Sequence, residues 1–237
     1  MNQWDKVWNK RENNLKYSND VFEMYCQLKR ANGFDTQDVE GYYENFYEQW
    51  FKMKNRIIAG CAGKLESIYE VGCGSGVNLF LFQKMYSELK VGGIDYSIPL
   101  IELAKKVIKS EDISLGEALA FDPEKKYDVV LSDSVFQYFH SAEYGFAVLE
   151  KMYDKANKML LVTEIHDIDL YEEHMQYRKS CVENYDEIYK GLEKTYYNKQ
   201  DFIKFANEKQ CRYEIVKPDN GIYWNDAYVF DFWLYKN

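Results

Sequence analysis

The sequence predicts an α/β fold: a doubly wound, seven-stranded, mostly parallel sheet with one antiparallel strand, preceded by an N-terminal helical cap. Three observations predict it. From Ser67 onward short β-rich runs alternate with amphipathic helical stretches, the pattern of βαβ units with right-handed crossovers. The last two β-rich runs are joined by PDNGIYWN (218–225) with no helix between them, and its turn-forming residues call for a hairpin that reverses one strand. Before Ser67 the apolar side chains recur at helical spacing instead.

In chain order, helices are expected over 18–30 and 41–59, where Tyr43, Phe46, Tyr47 and Trp50 follow the i, i+3, i+4, i+7 rule. The β-rich runs are SIYEV (67–71), KVGGID (90–95), ISL (113–115), YDVVLSD (127–133), KMLLVTEI (158–165), CRYEIVK (211–217) and DAYVFDFWLYK (226–236). Helices are expected between them at 77–88, 98–109 and 142–156, the second opened by Ser97 as N-cap with Pro99 in its first turn. The expected organisation is a helical cap or lid over 1–60 and a ligand-binding core over 61–237, with 168–198 a helical insertion over the active site.

Composition narrows the function. A 237-residue chain that is 46% hydrophobic can bury one substantial core. Its formal charge of −9 excludes nucleic acid as the expected partner, because phosphate backbones are met by gathered Lys and Arg. No apolar run approaches the ~20 residues that cross a bilayer, and the opening MNQWDKVWNKRENN lacks the apolar core of a signal peptide, so the expectation is cytoplasmic, with no membrane partner. Cys26, Cys61, Cys73, Cys181 and Cys211 are odd in number and scattered, and free thiols are expected. The oligomeric state is left open.

The stretch IYEVGCGSGVNLF (68–80) carries the chemistry. Glycines at 72, 74 and 76 follow a buried strand and precede a helix, a device that exposes backbone N–H groups and lets a ligand come close. A P-loop needs Gly-x-x-x-x-Gly-Lys-Ser/Thr, and here Val77 and Asn78 stand where the glycine and lysine belong. The dinucleotide fingerprint Gly-x-Gly-x-x-Gly fits Gly72 and Gly74 but meets Val77 third, which weakens that reading and leaves a nicotinamide-dependent oxidoreductase as an alternative. What remains is Gly-x-Gly-x-Gly with Glu70 two residues before it, and a charge at the end of an apolar strand is costly to bury without a partner.

This stretch resembles the first motif of the class I S-adenosylmethionine-dependent methyltransferases, and further pieces follow in the family's order over about residues 67 to 165. Asp95, beside Tyr96 and 19 residues after Gly76, resembles the acid that takes both ribose hydroxyls, as one carboxylate can accept two hydrogen bonds from a vicinal diol. Glu117 and Ala118 sit where the family borders the adenine. YDVVLSDSVFQYF (127–139) resembles the fourth motif, with Asp133 at the carboxyl edge of the sheet; the motif lacks the Asn/Asp-Pro-Pro-Tyr/Phe of enzymes acting on nucleic-acid bases. The resemblance implies the Rossmann-like methyltransferase fold with its reversed final strand, and S-adenosyl-L-methionine as cofactor. It also implies that Glu70, Gly72, Cys73, Gly74, Gly76 and Asp133 hold the methionine part, Cys73 as a small tolerated residue.

Methyl transfer to oxygen asks for a base, and His166 after the fifth strand and His140 after the fourth are the candidates, with a bare surface role the simpler alternative for each. His174 lies in a polar helical stretch and is expected to face solvent. A metal site from His166, Asp167, Asp169 and His174 matches no ligand spacing, and no metal is expected. GYYENFYEQWF (41–51) holds six aromatics in eleven residues; beyond plain core packing, Tyr42, Tyr43 and Tyr47 are expected to reach the acceptor. The expected reaction is methylation of an oxygen, or a nitrogen, of a small molecule, with a sugar or secondary metabolite as candidates. A non-catalytic cofactor-binding regulator is a further alternative.

Overall fold

The computed structural model describes residues 4–11, 14–34, 41–218 and 221–236. Seven strands, β1 (Ser67–Val71), β2 (Lys90–Asp95), β3 (Ile113–Leu115), β4 (Tyr127–Asp133), β5 (Ala156–His166), β6 (Arg212–Val216) and β7 (Val229–Tyr235), form one sheet in the order β3-β2-β1-β4-β5-β7-β6. All pairings are parallel except those of β7, which runs antiparallel to both β5 and β6. The reversed strand is the one the 218–225 turn predicted. Asp219 and Asn220 of that turn lie outside the described residues, and β7 starts three residues later than expected because Trp224–Tyr228 wind into a 3-10 helix.

The helices are α1 (Trp4–Trp8), α2 (Val21–Ala31), α3 (Tyr42–Gly60), α4 (Val77–Met85), α5 (Ile98–Val107), α6 (Ala142–Lys155), α7 (Tyr171–Cys181), α8 (Tyr185–Ile188) and α9 (Lys199–Glu208). Alternation along the strands sorts them into two layers. Ile68, Val129, Leu131 and Leu161 face a core shared with α2, α3, α4 and α5, through side chains such as Leu28, Trp50, Leu79 and Ala104. Their neighbours Tyr69, Val130, Leu160 and Val162 face the opposite core with α6 and α9, through Val148, Leu149, Phe202 and Ala206. Both faces of the sheet are covered, as a parallel sheet requires.

Two irregularities place the site. The turn after β1 takes left-handed backbone at Gly72, Gly74 and Gly76, and a Cβ at Gly74 would sit 2.6 Å from Asn32 Oδ1, at the end of α2. The second is a bulge in β5. Val162 pairs with Phe232 and Ile165 with Phe230, so β5 carries one residue more than β7 between them, and Glu164 there has φ +53°. Its amide donates to Asp231 Oδ1 at 3.0 Å.

Candidate active site

The carboxyl ends of β1, β2, β3, β4 and β5 contribute to a cavity of about 1290 Å³. That exceeds the ~300–1,000 Å³ typical of a site for one small ligand, so two can sit side by side. One half is built from the ends of β1, β2 and β3: Glu70, Gly72, Cys73, Gly74, Asp95, Tyr96, Glu117 and Ala118 all line it, with Asp133 from β4. The other half is walled by Trp4, Trp8, Tyr138, Tyr185 and Tyr189.

The first half is a web of carboxylates around one amide. Asn78 Nδ2, on the first turn of α4, donates to Glu70 Oε1 (2.7 Å) and Asp133 Oδ2 (3.0 Å); Thr163 Oγ1 donates to Asp133 Oδ1 at 2.5 Å. Glu70 is 2% exposed, its pKa is raised, chiefly by burial, and its Oε2 has no partner among the described residues. Asp95 accepts from the amides of Gly74 and Ser97, both at 2.8 Å; burial still pushes its pKa up to about 6 against those bonds. With the Tyr96 amide as a third donor, the carboxylate still keeps accepting capacity for a ligand. Ser97 is the N-cap residue of α5, as expected, but makes no side-chain cap hydrogen bond, because its hydroxyl donates to Trp8 O instead.

The glycine turn corrects another expectation. Its amides are not offered to a ligand: Gly72 and Cys73 donate to Ile94 O, Gly76 to Cys73 O, Gly74 to Asp95 and Ser75 to Asn32 Oδ1. Bare backbone at close range is what the turn supplies. Cys73 packs under β2, where a Cβ on Gly93 would meet its side chain at 2.9 Å.

The second half sorts the other candidates. His166 lines the cavity, is 1% exposed and leaves Nδ1 without a partner among the described residues; burial first, then the charges of Lys194 and Arg178 and His174, hold its pKa well below the ordinary value. His140 lines the cavity too but is exposed and packs on Tyr144, 4.4 Å between ring centres. His174 does not face solvent: it is fully buried, stacked on Tyr228 at 4.5 Å and bonded through Nδ1 to the Tyr196 hydroxyl at 2.9 Å. Aromatic partners far along the chain cover a helix that looks polar on average. Tyr42, Tyr43 and Tyr47 do not line the cavity; Phe46 does, since Tyr43 Oη donates to Phe34 O (2.8 Å) and Tyr47 packs on Tyr25.

Several residues the sequence did not single out stand in the site. Asn78 had the one local signal, an amide buried at a helix start. Glu164 sits beside Ser134, whose hydroxyl donates to Oε2 at 2.8 Å, and burial with the nearby Asp133 pushes its pKa up to about 7. Lys29, Arg178 and Lys194 line the cavity as well; nothing in their local sequence marks them.

With this geometry in place, a family model described as a methyltransferase domain matches residues 63–214, more than half of the chain. The chain belongs to the S-adenosylmethionine-dependent methyltransferases. Among curated relatives, the malonyl-[acyl-carrier protein] O-methyltransferase of Priestia megaterium is 32% identical over 138 residues, 57% of this chain and 50% of that protein. The malonyl-[acyl-carrier protein] O-methyltransferase of Haemophilus influenzae is 33% identical over 110 residues, 46% of this chain and 42% of that protein. The chain thus spans about half the length of the curated relatives it matches. Among solved structures, the plantazolicin methyltransferase BpumL, in complex with a triazolic desmethylPZN analog and SAH, superposes over the whole of both chains with a TM-score of 0.63 at 16% identity. Magnesium protoporphyrin IX methyltransferase from Synechocystis PCC 6803, with bound SAH, covers 92% of this chain and all of its own with a TM-score of 0.60 at 13% identity. At such identities the likeness speaks for the fold.

The residues of this methyltransferase fit the cofactor. A buried carboxylate oxygen on Glu70 lacks a donor, which an ammonium group supplies, and the turn stays open because left-handed glycines carry no side chain into it. No described helix is long and apolar enough to cross a membrane.

Proposed function

We propose that this methyltransferase methylates an oxygen, or a nitrogen, of a small-molecule acceptor held beside S-adenosylmethionine in the one cavity. The observation that carries the reading is the division of that cavity into a carboxylate-lined half at the glycine turn and an aromatic half under the N-terminal and 168–198 segments. When bound, the cofactor supplies a methyl group already activated by its sulfonium.

The chain's own work is binding, orientation and proton removal. Glu70, the 72–76 turn and Asp133 would hold the methionine part, Asp95 with Tyr96 the ribose, and Glu117 with Ala118 the adenine edge. Residues 1–60 would act as cap and 168–198 as the insertion that closes over the acceptor, with 61–237 as the core. Glu164 is the better proton acceptor: a carboxyl near 7 matches the working pH, whereas an imidazole held far below its usual value is a weak base. His166 would wall the acceptor as a neutral ring. His140, exposed and packed on Tyr144, would be a surface histidine at the rim of the cavity.

Calorimetry with S-adenosylhomocysteine should give one site per chain, weakened by ~1–3 kcal/mol in Asp95→Ala. Unchanged affinity would remove the ribose assignment. Methyl-labelled S-adenosylmethionine mixed with the small-molecule fraction of a cell extract should label a low-mass product. Label on macromolecules alone would overturn the acceptor class, and cofactor binding with no labelling would point to a non-catalytic binder.

A further inference from the structure

The aromatic half of the cavity carries Arg11, Arg178 and Lys194, and the charge of Glu164 acts on Lys194 without an ion pair between them. Arg178, on α7, donates through Nε to Tyr185 Oη at 2.6 Å, and its guanidinium lies 5.2 Å from the ring centres of both Tyr185 and Tyr189. Lys194 Nζ lies 3.6 Å from the centre of the Tyr138 ring and 4.7 Å from that of Trp4. Neither residue joins any ion pair among the described residues, in a chain whose formal charge is −9. Cations inside a protein are ordinarily paired.

We propose that Arg178 and Lys194 form an anion subsite that anchors an acid group of the methyl acceptor, which is therefore an organic acid with an apolar or aromatic body. This rests on the methyltransferase reading above. Arg178 keeps terminal N–H donors for a carboxylate, and Lys194 adds a point charge from a second direction. Trp4, Trp8 and Tyr138 meet edge to face at 4.9–5.2 Å and offer the flat apolar wall for the body. Burial pushes the Lys194 pKa well down, with the charge of Arg178 adding to it and that of Glu164 opposing it, and an incoming anion favours the charged ammonium.

The cofactor's own carboxylate is the rival occupant. The cation that acts on Glu70 is Lys29, however, and Glu164 stands between the halves, acted on by Lys29 and acting on Lys194, while Lys194 and Arg178 act on His166 and His174. Lys29 is thus the cation of the glycine-turn half, and the Arg178–Lys194 pair belongs to the acceptor half.

The test titrates the full chain, saturated with S-adenosylhomocysteine, with 4-hydroxybenzoate, indole-3-acetate and octanoate, each beside its primary amide, by calorimetry. At least one acid should bind about ten-fold or more tightly than its amide. Lys194→Met should lower that acid's affinity by about ten-fold, Lys194→Arg should retain most of it, and S-adenosylhomocysteine affinity should be the same in all three proteins, which also shows that the variants are folded. Acids that bind no better than their amides, or an acid affinity untouched by Lys194→Met, overturn the proposal alone. A loss of S-adenosylhomocysteine affinity in Lys194→Met also overturns it, by giving the cation to the cofactor. A wild-type chain that binds no S-adenosylhomocysteine sinks the methyltransferase reading and this proposal with it.

Discussion

At the scale of single residues, the site works by leaving polar groups short of partners. Burial penalises the charged state of Glu70, Glu164 and Lys194, raising the pKa of the two carboxyls and lowering that of the amine. Such groups gather where chemistry is done. For Glu164 the consequence is a carboxyl that titrates near neutrality, so the wild-type rate with a hydroxyl acceptor should climb as pH rises through about 7. Glu164→Gln keeps an acceptor oxygen for Ser134 but cannot take a proton. Its turnover should fall by roughly 10²-fold or more and lose that climb, while S-adenosylhomocysteine still binds; a variant with wild-type turnover at saturating acceptor would return the role to His166.

At the scale of elements, the decisive joint is the turn between β1 and α4. Gly76 has φ +79° and serves as N-cap of α4, and a Cβ there would lie 2.3 Å from Ile108 Cδ1 and 3.1 Å from Ala104 Cβ. The turn is therefore clamped against the end of α5 as well as against Asn32 of α2. Gly76→Ala adds both left-handed strain and a clash with packed side chains, and should destabilise the fold by ~1–3 kcal/mol, read as a lower denaturant midpoint with unchanged slope. A neutral outcome would mean that α4 and α5 slide apart freely. The bulge in β5 is the second such joint: one extra residue re-aims Glu164 toward the cavity, something a regular strand with period-two alternation cannot do.

At the scale of the molecule, buried carboxyls along one edge of the sheet couple folding to pH. Burial and the neighbouring charge of Glu164 push Asp231 from an ordinary 3.8 up to about 8. The folded chain then holds a proton that the unfolded chain has released, so this group stabilises fully below its unfolded value and loses that contribution as pH rises through the folded one. Denaturation of wild type beside Asp231→Asn should show the wild type losing stability relative to the variant as pH rises from about 4 to about 8, between the unfolded and the folded pKa of the carboxyl, and levelling off above. Asn keeps an oxygen for the Glu164 amide, so parallel pH curves would show that Asp231 is already ionised in the folded protein.

The sequence by itself determined the sheet, its order of strands and helices, and the reversed β7, because periodicity and turn chemistry are local and period two or 3.6 survives any tertiary context. It also marked Glu70, the three glycines, Asp95 and Asp133, each tied to a strand end that local pattern can locate. Only the tertiary structure decided the aromatic half of the cavity. Trp4, Arg178 and Lys194 come from segments far apart in the chain and meet through packing, His174 is buried by rings that arrive from residues 196 and 228, and Tyr42, Tyr43 and Tyr47 turn into the core while Phe46 faces the cavity. A local pattern shows that a helix has an apolar stripe. Which neighbour covers that stripe, and which side chain is left facing a ligand, is set by contacts between distant segments, and those follow from the folded shape.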